Sequence, residues 1–243
     1  MLSLVIPAYN ERNRIGRTIV EYRDTLRKNG IDFEIIVEMD GCTDGTQEVV
    51  KRLSERIPEL RYIEFDRRLG KGRGLKEGFK VTRGDIVGFV DADGSVPPQE
   101  FVRMVRELEK GYDVVIASRR AKGAKVRNQP TVRRILSKCF NIYVRTLFGI
   151  PYRDTQCGAK VFRRYVLEKV FEGLNSNGFA FDVNLLYLVH RAGFRVKELG
   201  VEWTDMYGSK VNVPKAVVEM GLDVLRLRLY HSPLRPLIWR RRG

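Results

Sequence analysis

Short apolar runs, LSLVIP, FEIIVE, RYIEF, DIVGFV and YDVVIAS, recur through the first 118 residues and alternate with stretches whose apolar positions repeat every three or four. The runs predict strands. The spaced stretches predict helices at about 14–28, 46–56, 72–82 and 98–110. Such alternation predicts βαβ units and an α/β fold with a doubly wound, mainly parallel, Rossmann-like sheet flanked by helices. Ligands of these sheets bind beyond the carboxyl ends of the strands, so the residues that follow each run carry the functional information.

The second half changes character. It offers a basic segment at 121–131, a helix at about 132–148, the loop PYRDTQCGAKVF and a helical stretch FDVNLLYLVH. A strand RVKELGVEW, a loop TDMYGSKVNVP and a last apolar-basic helix follow. We expect one domain over 1–212 and a basic, amphipathic C-terminal segment over 213–243. GAKVRNQP and TDMYGSK are too short for a domain boundary and suit mobile active-site loops.

Four strand ends are rich in chemistry: Pro7-Ala8-Tyr9-Asn10-Glu11, Glu38-Met39-Asp40-Gly41, Asp91-Ala92-Asp93, and Arg119-Arg120. Hard carboxylate oxygens hold a cation and arginines hold phosphate, so this rim suits a metal that bridges an anionic ligand. Alternation along a strand would put Asp91 and Asp93 on one face, where they repel unless a divalent ion joins them. The same acids also suit a turn, since Gly94 and Pro97-Pro98 follow. Mg²⁺ typically takes one or two carboxylates plus substrate phosphates, which matches a nucleotide diphosphate. Gly70-Lys71-Gly72-Arg73-Gly74 fits neither a P-loop nor a dinucleotide fingerprint. A flexible turn and direct ligand contact are equally open there, with Lys71 as the candidate contact.

Composition narrows the partners. The 243 residues carry a net charge of +15, which favours nucleic acid, a membrane surface or a phosphorylated substrate. No zinc-finger, RNP or basic-zipper signature accompanies the charge, so nucleic acid is not expected. Three scattered cysteines and two histidines support neither a disulfide framework nor a zinc cluster, and Cys157 has no histidine near it in sequence. We expect Cys157 to be structural and the compartment to be reducing. The N-terminus lacks a basic lead-in and reads as a buried first strand, which suggests a cytoplasmic protein. No run of about 18 apolar residues occurs, so membrane contact would be peripheral. The final helix, with Arg226, Arg228, Arg235 and 240–242 and no acid after Asp223, suits an anionic membrane interface slightly better than packing alone.

In order, VIPAYNE, MDGCTDGT, DADGS, VIASR, DTQCGAKVF and WTDMYGSKV resemble the family-2 inverting glycosyltransferases of GT-A fold. Within these they are most similar to the polyprenyl-phosphate hexose synthases, the dolichyl-phosphate glucose and mannose synthases. The resemblance spans about 2–211. It implies transfer of a hexose from UDP-glucose or GDP-mannose to a polyprenyl or dolichyl phosphate, at the cytoplasmic face of a membrane. It leaves room for a membrane-protein partner. It places Pro7, Tyr9 and Glu11 along the nucleotide, Asp40 near the base, and Asp91 and Asp93 at the ribose-diphosphate and on Mg²⁺ or Mn²⁺; Ala8, Lys71 and Ala92 are the further candidate nucleotide contacts. Arg119, Arg133, Ser137 and Lys210 would hold phosphates of donor or acceptor; Arg133 and Ser137 stand four apart on one helix face.

This chain departs from that pattern at Met39, where an acid is usual and Glu38 becomes an alternative, at Ser95 and at Asn184. A phosphate acceptor, already ionised near neutral pH, needs no strong base. A sugar hydroxyl would need one, with Asp182 as candidate. A nucleotide-sugar-binding regulator with weakened chemistry is the reading from another class.

Overall fold

The computed structural model describes residues 1–206 and 213–232, the side chains of 213–218 excepted. Strands β1 (Leu2–Ala8), β2 (Phe33–Asp40), β3 (Leu60–Phe65), β4 (Ile86–Val90) and β5 (Val114–Ser118) form where the apolar runs stand. Between them lie helices α1 (Ile15–Lys28), α2 (Thr46–Ser54), α3 (Lys71–Lys80) and α4 (Pro98–Glu109). Beyond β5 come β6 (Lys125–Arg127), α5 (Thr131–Phe148), β7 (Ala159–Arg163), α6 (Arg164–Val170) and α7 (Phe181–Arg191), then β8 (Val196–Gly200), β9 (Glu202–Thr204) and α8 (Val213–Tyr230).

The main sheet runs β3-β2-β1-β4-β7-β5-β8. Its pairs are parallel except where β7 inserts antiparallel between β4 and β5. The order reverses between β1 and β4, the switch point that opens a crevice in sheets of this kind.

Alternation along the strands loads both faces. Leu2, Leu4 and Ile6 of β1 join Ile35 and Val37 of β2 beneath α1 and α4, which contribute Ile15, Ile19, Phe101 and Leu108. Val5, Ile36 and Phe89 point the other way, into a second core closed by α3, α5 and α7 through Phe79, Val144 and Phe181. Burial on both faces is why β5 reads as an unbroken apolar run up to Ser118.

Four sequence expectations change. The segment expected as a loop, PYRDTQCGAKVF, contains strand β7; its apolar face is interrupted by Lys160, which is fully buried and disguises the pattern. The short helix α6 follows it and was not anticipated. The single strand expected over 195–203 divides at Val201 into β8 and β9, which belong to different sheets. Within GAKVRNQP, residues Lys125–Arg127 are not loop but pair in parallel with Glu202–Thr204. Pairing partners come from distant chain and leave no local trace.

Helix α8 packs Val224 and Leu227 into the second core and leaves Leu222 and Leu225 half exposed. Among the described residues no helix is long and apolar enough to cross a membrane. Lys210, Arg235 and 240–242 lie outside the described residues.

Candidate functional site

Strand β4 ends at Val90, so Asp91 and Asp93 stand in the turn beyond it rather than on the strand face expected from alternation. Helix α1 holds this turn by its carbonyls: the Thr18 hydroxyl donates to Ala92 O at 2.9 Å and the Tyr22 hydroxyl to Val96 O at 2.9 Å. The Asp91 N–H donates to Gly158 O at 2.9 Å. A Cβ on Gly158 would lie 1.7 Å from Asp91 Oδ2, so only glycine leaves room for that carboxylate. The Ser95 N–H closes on Asp93 Oδ1 at 2.9 Å, while Ser95 O accepts from Thr204 N–H at 3.0 Å. Buried Ser95 thus braces the turn through its backbone.

Lys71, at the start of α3, places its ammonium 2.9 Å from Asp91 Oδ1 and 3.3 Å from Asp182 Oδ2. The glycines around it serve close packing: a Cβ on Gly72 would lie 2.4 Å from Ser176 O, and one on Gly74 2.2 Å from Glu38 Oε2. Asp182 is buried in α7, and Lys160 approaches its other oxygen at 2.5 Å. Desolvation opposes ionisation of Asp182, but the Lys160 and Lys71 ammonium groups outweigh it and hold the carboxyl below its ordinary range. At Asp91 desolvation prevails over Lys71, and its carboxyl is raised.

Asp40 accepts from Gly70 N–H at 3.0 Å and from Leu69 N–H, pinning the loop that presents Lys71. Glu38, on the same face of β2, is fully buried and both its oxygens lack a hydrogen-bond partner. Burial first, then Asp40 and Glu77, push its carboxyl up to about 8, so it is largely a neutral acid at pH 7. At the end of β1, Ala8 is buried and Pro7 half-buried, and the Tyr9 ring carries the Arg68 guanidinium 4.1 Å from its centroid. Glu11 O caps α1 through Arg14 and Ile15 N–H, and its carboxylate takes Arg14 Nε at 2.7 Å. Burial, and more weakly Asp93, raise the Glu11 carboxyl against the pull of Arg14.

The arginines are already matched. Arg119 gives Asp154 a fork of Nε at 2.8 Å and Nη2 at 2.9 Å, adds its own N–H at 2.9 Å, and lies over the Trp203 ring at 5.1 Å. Arg133 spans Asp205 at 2.7 and 2.8 Å. Arg133 and Ser137 share a face of α5, and the group that meets Ser137 is Arg120, with Nη2 2.7 Å from its hydroxyl. Cys157 is buried, and its thiol is pushed up to about 12 by desolvation, in keeping with a structural cysteine.

The structure therefore brings Pro7, Tyr9, Glu11, Asp40, Lys71, Asp91, Ala92 and Asp93 to the carboxyl ends of β1, β2 and β4, with Arg119, Arg133 and Ser137 beyond β5. Sequence reasoning missed Asp154, Asp205 and Lys160. Asp154 and Lys160 stand within the DTQCGAK segment already singled out, and Asp205 within TDMYGSK. Among the described residues no group of three or more His, Cys, Asp or Glu is placed to hold a metal ion by itself.

Residues 3–171 match the model of glycosyl transferase family 2. Glycosyltransferase AglD of Haloferax volcanii is 33% identical over 99% of this chain, which spans 39% of that protein's length. The dolichyl-phosphate beta-glucosyltransferases of Dictyostelium discoideum and Saccharomyces cerevisiae are 31% and 30% identical, over 93% and 94% of this chain and 73% and 74% of theirs. In three dimensions the chain is similar to glucosyl-3-phosphoglycerate synthase from Mycobacterium tuberculosis in complex with UDP, with a TM-score of 0.69 and 22% identity over 94% of this chain and 79% of that one.

Proposed function

The chain belongs to glycosyl transferase family 2, and we propose that it moves a hexose, glucose by preference, from a nucleotide diphosphate sugar to a polyprenyl phosphate of the dolichyl type. The observation that carries this reading is the Asp91-Ala92-Asp93 turn at the sheet's switch point, with the Lys71 ammonium on one of its carboxylates. That the relatives from Dictyostelium discoideum and Saccharomyces cerevisiae are dolichyl-phosphate beta-glucosyltransferases supports the acceptor and the sugar.

The residues present fit a divalent cation. Lys71 occupies one oxygen of Asp91 and Ser95 N–H one of Asp93, so each retains an oxygen outside these contacts, and Gly158 leaves the space. Mg²⁺ or Mn²⁺ held there would complete its ligands from the donor diphosphate and neutralise the charge that develops on it. Lys71 adds an ammonium beside the same oxygens. Tyr9, with Arg68 stacked on it, offers an aromatic and cationic wall to the nucleoside, and Asp40 holds the loop beneath. An acceptor phosphate oxygen attacks the anomeric carbon from the face opposite the leaving group. The bond to the diphosphate breaks with its electron pair, and the configuration inverts. Arg120 and Ser137, together with Arg133, orient the acceptor phosphate. No proton has to be removed. That agrees with Asp182, which two lysines enclose and which is not offered to a substrate hydroxyl.

The test is incubation of the pure protein with labelled UDP-glucose or GDP-mannose, Mg²⁺ or Mn²⁺, and either polyprenyl phosphate or an oligosaccharide. Label is expected in an organic-soluble product labile to mild acid. Transfer only to the oligosaccharide would refute the reading.

An anionic membrane surface is the further partner we propose. What supports it is the outer side of α5, where Val132, Ile135 and Ile142 are 68%, 55% and 52% exposed and recur on one face. Arg134, Lys138 and Arg145 form the adjoining stripe, so apolar insertion and attraction to anionic headgroups act together. Replacing Val132, Ile135 and Ile142 with serine is expected to lower binding to phosphatidylserine-containing vesicles by at least about 10-fold, the effect of losing only about 55 Å² of inserted apolar surface at roughly 25 cal/mol per Å². Equal sedimentation of variant and parent with those vesicles would remove α5 from the interface.

A further inference from the structure

Lys160 touches neither donor nor acceptor in the reading above, yet its side chain is fully buried, at 0% exposure, in the middle of the sheet. Its strand, β7, sets it opposite Phe89 of β4 and Ile116 of β5. The ammonium has three neighbours: Asp182 Oδ1 at 2.5 Å, Cys157 O at 2.9 Å, and the Phe89 ring with its centroid at 5.3 Å. Removing an ammonium from water is costly, and an apolar side chain of similar length would fill the same space at less cost. Strand formation therefore does not call for a lysine at this place.

The distances suggest what does. Asp182 lies 2.5 Å from Lys160 and 3.3 Å from Lys71, whereas Lys71 lies 2.9 Å from Asp91. Asp182 thus has Lys160 as its close partner, and Lys71 has Asp91. Two lysines and two aspartates alternate along the line Lys160, Asp182, Lys71, Asp91, with the Lys71 ammonium 5.7 Å and the Lys160 ammonium 5.3 Å from the centre of the Phe89 ring.

We propose that Lys160 is a positioning residue for hexose transfer: by neutralising Asp182 it keeps Lys71 from being captured there, so that Lys71 stays at Asp91, within reach of the donor diphosphate. This rests on the transferase reading above. Without Lys160 the buried Asp182 carboxylate would have one counter-charge left, Lys71, which sits between the two acids and would be drawn to the more deeply buried one. Asp91 would then lose its ammonium, and the diphosphate would lose a partner. The two consequences have opposite signs for the two ligands of the site. A lone cation gains at Asp91 because its competitor has withdrawn, and a nucleotide diphosphate loses.

The experiment uses the full chain and two probes: Mn²⁺ alone, followed by electron paramagnetic resonance, and UDP at saturating Mn²⁺, followed by calorimetry. In Lys160→Met the Kd for Mn²⁺ is expected to fall about 3-fold and that for UDP to rise about 10-fold, as a shift of one close charge would produce. In Lys160→Met/Asp182→Asn the uncharged amide no longer draws Lys71, and the UDP constant should return to within about 3-fold of the parent. General damage to the site would weaken both ligands in the single variant and would not be repaired by a second substitution. Constants that stay unchanged, or that weaken together without recovery, overturn the proposal. Should Lys160→Met fail to fold, the double variant is compared with Asp182→Asn alone. The two must bind UDP alike if Lys160 acts through Asp182, and a difference beyond about 3-fold overturns the proposal. A parent that binds neither Mn²⁺ nor UDP overturns the transferase reading itself, and Lys160's role falls with it.

Discussion

Replacing Asp93 with alanine should lower the rate of hexose transfer about 10³-fold, the scale on which loss of one preorganised group at a developing charge is felt. The reason is where Asp93 sits. It caps the turn beyond β4 with a single hydrogen bond from Ser95 N–H, so its remaining oxygen has no structural task in the described fold. Stability should therefore change by only about 1 kcal/mol, the typical net worth of one hydrogen bond. A thermal melt and a steady-state assay with labelled donor check both halves of the expectation. Full activity in the variant would remove Asp93 from the chemistry and with it the two-carboxylate site. The corresponding change at Asp91 is less clean, because it also strips Lys71 of its nearest partner.

Asp154→Ala should be among the most destabilising single substitutions, at about 3–5 kcal/mol, because it leaves the Arg119 charge without its partner beneath Trp203. Asp154 is inaccessible to solvent, and Arg119 is 12% exposed. Desolvation opposes ionisation of the carboxyl, but Arg119, through charge and three hydrogen bonds, prevails and holds it down at about 2. A carboxyl depressed in the folded state contributes stability that is present above the unfolded value, near 4, and is lost as pH falls through the folded one. In urea unfolding the parent should accordingly lose stability between about pH 4 and pH 2, and the variant should lose correspondingly less over that window. Equal stability of the two proteins at pH 7 would show that the pair has no net role in holding the rim beyond β5.

The contrast between these two aspartates bears on how the chain is read. Both stand just after apolar runs or in motif-like segments, and both look alike as letters. Asp93 follows a strand end, and that position marked it as a candidate, with a simple turn as the equal alternative. Asp154 lies in DTQCGAK, and nothing local says that its carboxylate meets an arginine 35 positions earlier. The same holds for Arg133 and Asp205, 72 residues apart, and for Lys160, whose charge hides a strand that only the flanking β4 and β5 can define.

Periodicity by itself determined the strand–helix alternation of the first 118 residues, the mainly parallel sheet and the rim where function gathers, since these follow from the two repeats that helices and strands impose on burial. The acids at that rim, Asp40, Asp91 and Asp93, were equally available as candidates, because strand ends are local features, whereas Lys71 stood only as one of two readings of a glycine-rich turn. Only the tertiary structure decided which charge answers which: Lys71 between Asp91 and Asp182, Lys160 behind Asp182, Asp154 under Arg119, and Glu38 with no partner for either oxygen. A buried charge is tolerated only where another element supplies its counter-charge. That partner is brought by packing across the sheet, from a part of the chain that the local pattern does not reach.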